Sequence, residues 1–285
     1  MPELPEVETV RRLIAPHVVG HTIAGVELDP AFPDVLEGPD GIDPVAGIVD
    51  RTITGAQRRG KYLIFPLDNG MSLVIHLRMT GRLLLTEHDA PPVRFQHAAL
   101  ALDNGMDLRF GDQRKFGRIR LTLPDEIEAL SARLGPEPLD ASFTGDGLYA
   151  ALQRRPGKIK PVLLDQHLVA GLGNIYVDEA LFRTRIHPLT PANTLGRDDA
   201  GRLVRAIRHV LRGALANQGT TFSTFENPYG EAGSNASFLN VYGKGRHGFP
   251  CPRCGTPLEH LVVGGRGTTI CPRCQRHEAH ARRDD

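Results

Sequence analysis

The sequence predicts a two-domain α+β protein, and three observations predict it. Short β-rich runs separated by Asp-Asn-Gly turns fill the first half, helical periodicity fills the second, and the tail carries two Cys-x-x-Cys pairs. Asn-Gly between apolar runs is a strong hairpin signal. Several short strands at that spacing point to a β-sandwich. The expected division is 1–136 for an N-terminal helix and sandwich, 137–244 for a helical domain, and 245–285 for a metal-bound tail.

Residues 4–19 read as a helix, with Val7, Val10, Leu13, Ile14 and Val18 near helical spacing. Pro16 inside that pattern should kink or end it. From about 20 to 123 the runs "KYLIFPL", "MSLVIHL" and "MDLRF" read as strands. Residues 124–147 look like a linker, rich in Pro, Gly and Asp. Helical segments follow near 147–154, 160–167, 174–184 and 197–217, the break "VAGLGN" falling between two of them. No internal repeat is evident.

Composition is that of an ordinary globular protein, 40% hydrophobic and 24% charged. No apolar run approaches the roughly 18 residues of a membrane span, and the acidic start is no secretory signal. A cytoplasmic location without membrane contact is the expectation. Net charge is only +1, but it is unevenly spread. Residues 31–50 hold five acids and no base, whereas 244–283 hold eight Lys/Arg against two acids. Smaller basic knots are "RRGK" at 58–61 and "RRPGKIK" at 154–160. Such patches on a near-neutral chain suit a phosphate footprint, although alone they read as solvated surface charge.

Cys251, Cys254, Cys271 and Cys274 are all the cysteines of the chain, and sixteen residues separate the two pairs. That spacing matches a closed, structural zinc site of four thiolates. Between the pairs, "VVGGRGTTI" predicts a hairpin with Arg266 at its Gly-rich tip, able to hold phosphate or simply to face solvent. Upstream, Gly171-Leu172-Gly173 leads into a helix at Asn174. Helix N-termini expose unpaired N–H groups and glycines let a backbone approach phosphate. Asn174 and Lys160 are therefore phosphate candidates, with a plain helix–helix turn as the simpler reading.

The start, "MPELPEVE", poses a question of its own. Pro2 and the acids Glu3, Glu6 and Glu8 suit the first turn of a helix. Removal of Met1 would also leave Pro2 as a free secondary amine, with a pKa of about 7.7–8.0. Such an amine attacks carbonyl-like carbons and gives an iminium that keeps its charge without a proton. Glu3 is placed to act as general acid and base.

Taken together, "PELPEVETVRR", "RRGKYL", "HLRMTG", "DQRKFG", "DQHLVAGLGNIYVDEALF" and the four-cysteine tail resemble the bacterial formamidopyrimidine-DNA glycosylase family, in family order from residue 2 to residue 274. "PELPEVET" resembles the formamidopyrimidine branch rather than the endonuclease VIII branch, which typically starts "PEGPE". The resemblance implies a base-excision repair glycosylase and abasic-site lyase, acting on 8-oxoguanine and formamidopyrimidines in double-stranded DNA held between the two domains. It implies Pro2 as nucleophile at C1′, Glu3 as proton donor, Glu6 as support and Lys61 at the phosphate beside the lesion. It makes Met79, Arg114 and Phe116 the residues that fill the void left by an extruded base. It makes Lys160, Asn174 and Arg266 the backbone contacts, and Thr220, Thr221 and Tyr242 contacts of the lesion loop. One structural zinc ion, no small-molecule cofactor and a monomer acting on the nucleoid complete the expectation. Gln113 stands where the family usually has proline, and "EAGSNASFLN" at 231–240 departs from the family's run before "VYGK". A relative preferring oxidised pyrimidines or abasic sites, and a DNA-binding paralogue without chemistry, are the alternatives.

Overall fold

The computed structural model describes residues 2–222 and 225–277. Met1 and residues 278–285, the end of the expected tail domain, lie outside the described residues. The chain forms two compact units. Unit 1 comprises 1–134 and 213–237, and unit 2 comprises 135–212 and 238–285. The chain therefore leaves unit 1 and later returns to it, a feature that a consecutive division of the sequence does not reveal.

Unit 1 opens with α1 (Leu4–Val18), whose Val7, Val10, Ile14 and Val18 are buried in the core. Pro16 falls in its last turn, and the helix runs only two residues further. Then come β1 (Ile23–Leu28), β2 (Leu36–Glu37), the short α2 (Pro44–Ile48) and seven further strands. These are β3 (Gln57–Arg59), β4 (Tyr62–Pro66), β5 (Ser72–His76), β6 (Gly81–Glu87), β7 (Gln96–Leu102), β8 (Met106–Asp112) and β9 (Arg118–Thr122). They make a four-stranded sheet in the order β1-β7-β8-β6 and a five-stranded sheet in the order β2-β9-β5-β4-β3. The Asp-Asn-Gly turns join β4 to β5 and β7 to β8, with registers Leu63↔Ile75 and Leu100↔Leu108. Side chains of both sheets, among them Leu83, Leu108 and Phe110 from one and Leu63, Phe65, Ile75 and Leu121 from the other, share one apolar core with α1. That is a sandwich, as expected.

The stretch expected to be linker instead forms α3 (Pro124–Arg133). Pro124 occupies the first helical position, where its missing N–H costs nothing. Glu126 reaches back to accept the Leu123 N–H at 3.0 Å, and Arg59 donates to the Ser131 and Leu134 carbonyls at the far end. A helix held by such end contacts needs little periodicity, which is why composition alone misread it.

Unit 2 contains α4 (Gly145–Gln153), α5 (Ile159–Leu164), α6 (Asn174–Thr184) and most of α7 (Arg197–Ala216), close to the four expected segments. The tail adds β10 (Glu259–Val263) paired antiparallel with β11 (Arg266–Ile270). Gly264 and Gly265 form the turn with φ of 58° and 73°, the left-handed pair that a two-residue hairpin loop demands.

Candidate active site and nucleic-acid interface

In unit 1 the residues expected to carry chemistry converge on the head of α1. Pro2, Glu3 and Glu6 are buried there. The Glu3 N–H donates to Glu6 Oε2 at 2.8 Å, and the Thr220 N–H donates to Glu6 Oε1 at 2.8 Å. One carboxylate thus fixes both the backbone of Glu3 and the start of the returning segment. Gly219 makes this approach possible. Its φ is +87°, and a Cβ there would lie 3.0 Å from the Phe225 ring and 3.1 Å from Glu6 Cγ. Thr220 Oγ1 accepts from Asn235 Nδ2 at 2.8 Å, and Thr221 Oγ1 accepts from the Gly233 N–H at 2.9 Å. Both threonines are therefore tied to the start of the divergent 231–240 stretch.

Lys61 sits in the tight Gly60-Lys61 turn between β3 and β4, against which α1 packs. Glu8 fastens that packing. It accepts from Arg11, Arg12 and Arg58, the last at 3.2 Å. Burial alone would raise its pKa, but hydrogen bonds from Arg11 and Arg12 and the charges of Arg11 and Arg58 hold it at about 2. His76, on β5, was not anticipated from sequence. Burial, then the charges of Arg78 and Lys61, push its pKa down to about 3, so it stays a neutral ring stacked edge-on against Tyr62 at 4.6 Å.

Met79 lies in the turn between β5 and β6, and Arg114 and Phe116 lie in the turn between β8 and β9. Phe116 is 50% exposed, with the Arg114 guanidinium 4.6 Å from its ring centre. Phe116 is therefore no core residue. Asp112 shapes this turn. Its carboxylate accepts the N–H groups of Arg114 at 3.1 Å, Phe116 at 2.8 Å and Gly117 at 2.7 Å, together with the Thr80 hydroxyl. The backbone carbonyl of Asp112 in turn bonds His97 Nε2 at 2.9 Å, and His97 Nδ1 bonds Asp29 at 2.8 Å. The turn thus keeps its shape with Gln113 where proline was expected. Asp112 opens the "DQRKFG" run and caps N–H groups two to five residues further on, whereas His97 carries no motif signal, because Asp29 and the Asp112 carbonyl lie 68 and 15 residues from it.

In unit 2, Asn174 opens α6 as expected, and its Nδ2 donates to the Gly267 carbonyl at 2.9 Å. Tyr242 belongs to this unit, its hydroxyl 3.5 Å from Asn174 Nδ2. Arg266 is exposed at the hairpin tip, where it was expected. Gln166, unnoticed in the sequence, braces the glycine turn by accepting the Gly171 N–H at 2.9 Å and donating to the Leu172 carbonyl at 2.8 Å.

Lys160 differs from expectation. It is 0% exposed, and its Nζ donates to Asp178 Oδ1 at 2.6 Å, Thr268 Oγ1 at 2.7 Å and the Gly267 carbonyl at 3.0 Å. An ammonium has three protons. All three meet acceptors within the unit, so Lys160 fastens the hairpin to α6. Asp178 also accepts the Thr269 N–H at 3.1 Å; burial pushes its pKa up to about 6, against the pull of Lys160. The buried pair locks α5 and α6 onto β11.

The four cysteine Sγ atoms lie within 4.8 Å of one another. A tetrahedral zinc with bonds of about 2.3 Å sets sulfur separations of about 3.8 Å, so the donor set fits. The Arg253 and Cys274 N–H groups point at Cys251 and Cys271 Sγ, both at 3.4 Å, which offsets thiolate charge. Cys251, Cys254, Cys271 and Cys274 would hold the ion, which supplies folding energy and no open coordination position.

Sandwich, helical turn and four-cysteine knuckles define a class: β-sandwich proteins that carry a helix–two-turn–helix element and a zinc finger. Residues 1–119 match the model of the formamidopyrimidine-DNA glycosylase N-terminal domain, 134–226 that of the formamidopyrimidine-DNA glycosylase H2TH domain, and 248–276 the zinc finger found in FPG and IleRS. Formamidopyrimidine-DNA glycosylases of Herpetosiphon aurantiacus and Chloroflexus aurantiacus are 46% and 48% identical, each over 96% of this chain and over 100% and 98% of their own. The crystal structure of the MutM (Fpg) protein of Thermus thermophilus superposes with a TM-score of 0.83 at 43% identity, covering 96% of this chain and 98% of that one. A Lactococcus lactis Fpg variant in complex with Fapy-dG-containing DNA gives 0.88 at 38% identity, covering 96% and 100%. The chain belongs to the formamidopyrimidine-DNA glycosylase family.

Proposed function

We propose that the protein is a base-excision repair DNA glycosylase and abasic-site lyase that removes oxidised purines, 8-oxoguanine and formamidopyrimidines, from double-stranded DNA. The observation that carries this reading is the head of α1, where Glu6 fixes the backbone of Glu3, next to Pro2, and the Thr220 segment at the same time.

The neutral amine of Pro2, free once Met1 is removed, attacks C1′ of the damaged nucleotide. The bond from C1′ to the base breaks, and the base leaves with a proton. Glu3 protonates the ring oxygen, the sugar opens, and an iminium links Pro2 to C1′. The iminium draws electrons from C2′, so its proton departs and the C3′–O bond breaks by β-elimination. A second loss breaks the C5′–O bond, and water then releases Pro2. Lys61 holds the phosphate beside the lesion. An enzyme acting on a base in a duplex must extrude it. Met79, Arg114 and Phe116 fill the hole, with Arg114 facing the orphaned partner base. Asn174 and Arg266 contact the backbone and hold register without reading sequence. Thr220, Thr221 and Tyr242 serve the lesion loop. The enzyme works as a cytoplasmic monomer, with structural zinc and no small-molecule cofactor.

The test is borohydride trapping with a duplex carrying 8-oxoguanine opposite cytosine. A covalent protein–DNA band is expected, absent from Pro2→Gly and from protein that retains Met1. A band with an abasic duplex alone would transfer the activity to the lyase step and assign the lesion preference elsewhere. Tight binding with no band on either duplex would overturn the enzymatic reading.

A further inference from the structure

Unit 2 contains an open cavity of about 1080 Å³ bounded by the C-terminal end of α6, the outer face of α7 and the second cysteine knuckle. Arg183, Arg185, Arg202, Arg205, Arg273 and Arg276 all line it. All six are exposed, and Asp199 is the one carboxylate among the lining residues. Asp199 is already engaged, by Arg202 at 2.5 Å and by the Gly196 N–H at 3.1 Å. Among the described residues, no carboxylate pairs with Arg183, Arg185, Arg205, Arg273 or Arg276. Ile186, Leu195 and Ala206, all buried, provide an apolar floor.

Cations at a helix C-terminus are stabilising by themselves, since the helix end carries about half a negative charge. That accounts for Arg183 or Arg185 at the end of α6. It does not account for six guanidinium groups converging from three separate elements. The surplus charge calls for an anionic occupant, and the guanidinium fork matches carboxylate and phosphate alike. Three features choose between them. The helix end at this cavity is a C-terminus, which disfavours a compact phosphate dianion. The N-terminus of α7 is closed by Asp199. The lining offers no Phe, Tyr or Trp on which a nucleic-acid base could stack. Asn174 and Arg266, the expected DNA contacts, gather at the opposite end of α6, an 11-residue helix about 16 Å long.

We infer that this cavity docks an acidic peptide segment of a partner protein, its carboxylates spread over the arginines and an apolar side chain on the Ile186 and Leu195 floor. The site is independent of the excision chemistry.

The experiment is fluorescence anisotropy on full-length, zinc-loaded protein with a short labelled peptide of alternating Asp and Glu ending in Leu. Binding that weakens about tenfold in the double variant R202E/R205E is expected, with trapping activity unchanged. The R202Q/R205Q pair repeats the test should charge reversal disturb folding. Binding should also persist when the protein is saturated with an abasic-analogue duplex. Equal binding of the Asn/Gln version of the peptide, indifference to both double variants, full displacement by the duplex, or displacement by inorganic pyrophosphate more readily than by unlabelled peptide would each overturn the assignment. Trapping is measured on the same samples, so failure of the glycosylase reading and failure of this one are told apart.

Discussion

Glu6 joins Glu3 to Thr220, accepting the N–H of each at 2.8 Å on its two carboxylate oxygens. A carboxylate has acceptors only, so it suits two backbone donors facing it from opposite sides. In Glu6→Gln one oxygen becomes an NH₂ that confronts an N–H. The expected cost is about 1–3 kcal/mol of stability. Trapping should slow on both 8-oxoguanine and abasic duplexes, because Glu3 is unmoored in either case. Single-turnover trapping and thermal melting measure the two effects; unchanged rates on both duplexes would refute the support role.

A change at Asp112 tests the proposed base extrusion apart from the sugar chemistry. Asp112→Ala frees the N–H groups of Arg114, Phe116 and Gly117 at once. Excision of a paired 8-oxoguanine should fall by about tenfold or more, while cleavage of an abasic duplex, which has no base to expel, should change little. Equal losses on the two substrates would remove the turn from the extrusion step.

Lys160 gives a sharper contrast. A residue that only meets phosphate can be replaced without loss of stability. Breaking a buried ion pair costs about 3–5 kcal/mol, because the remaining charge is left uncompensated. Lys160→Met should therefore lower the melting temperature markedly, with Asp178 stranded. A variant that melts like the parent and only flattens the salt dependence of DNA binding would restore the direct contact.

Acid stability should follow Glu8. Its carboxyl is held at about 2 in the folded protein against an ordinary 4.5, by Arg11, Arg12 and Arg58. The unfolded chain takes up the proton first as pH falls. The stabilisation is therefore complete above about 4.5 and lost on the way down to about 2. Glu8→Gln should melt lower than the parent at neutral pH and converge with it near the acid end. Parallel melting curves across that window would exclude Glu8 as the source.

Much of this was legible because the signals were local. Asp68-Asn69-Gly70 and Asp103-Asn104-Gly105 fix two hairpins by turn chemistry alone, and the cysteine spacing fixes the finger. Pro2 and Glu3 lead directly into α1 and Glu6 sits in its first turn, so their meeting is written in the sequence. The burial of Lys160 is not legible because its acceptors on Thr268 and Gly267 are over a hundred residues away, and nothing near it announces burial. His97 is illegible for the same reason, its partners being the Asp112 carbonyl and the Asp29 carboxylate, 15 and 68 residues away. α3 was missed because its stability comes from end contacts rather than from an apolar stripe.

The return of the chain to unit 1 has a bearing on how the protein is born. Residue 220 must reach Glu6 across a separation of 214 residues, with most of unit 2 between them. Contacts so distant in sequence are slow to close, and on a ribosome they wait for the intervening chain. The sheets can assemble while Glu6 still lacks one of its two donors. An unfinished or truncated copy would leave Pro2 and Glu3 in an incomplete cradle, so the head of α1 comes fully into register only once residue 220 and its segment have been made.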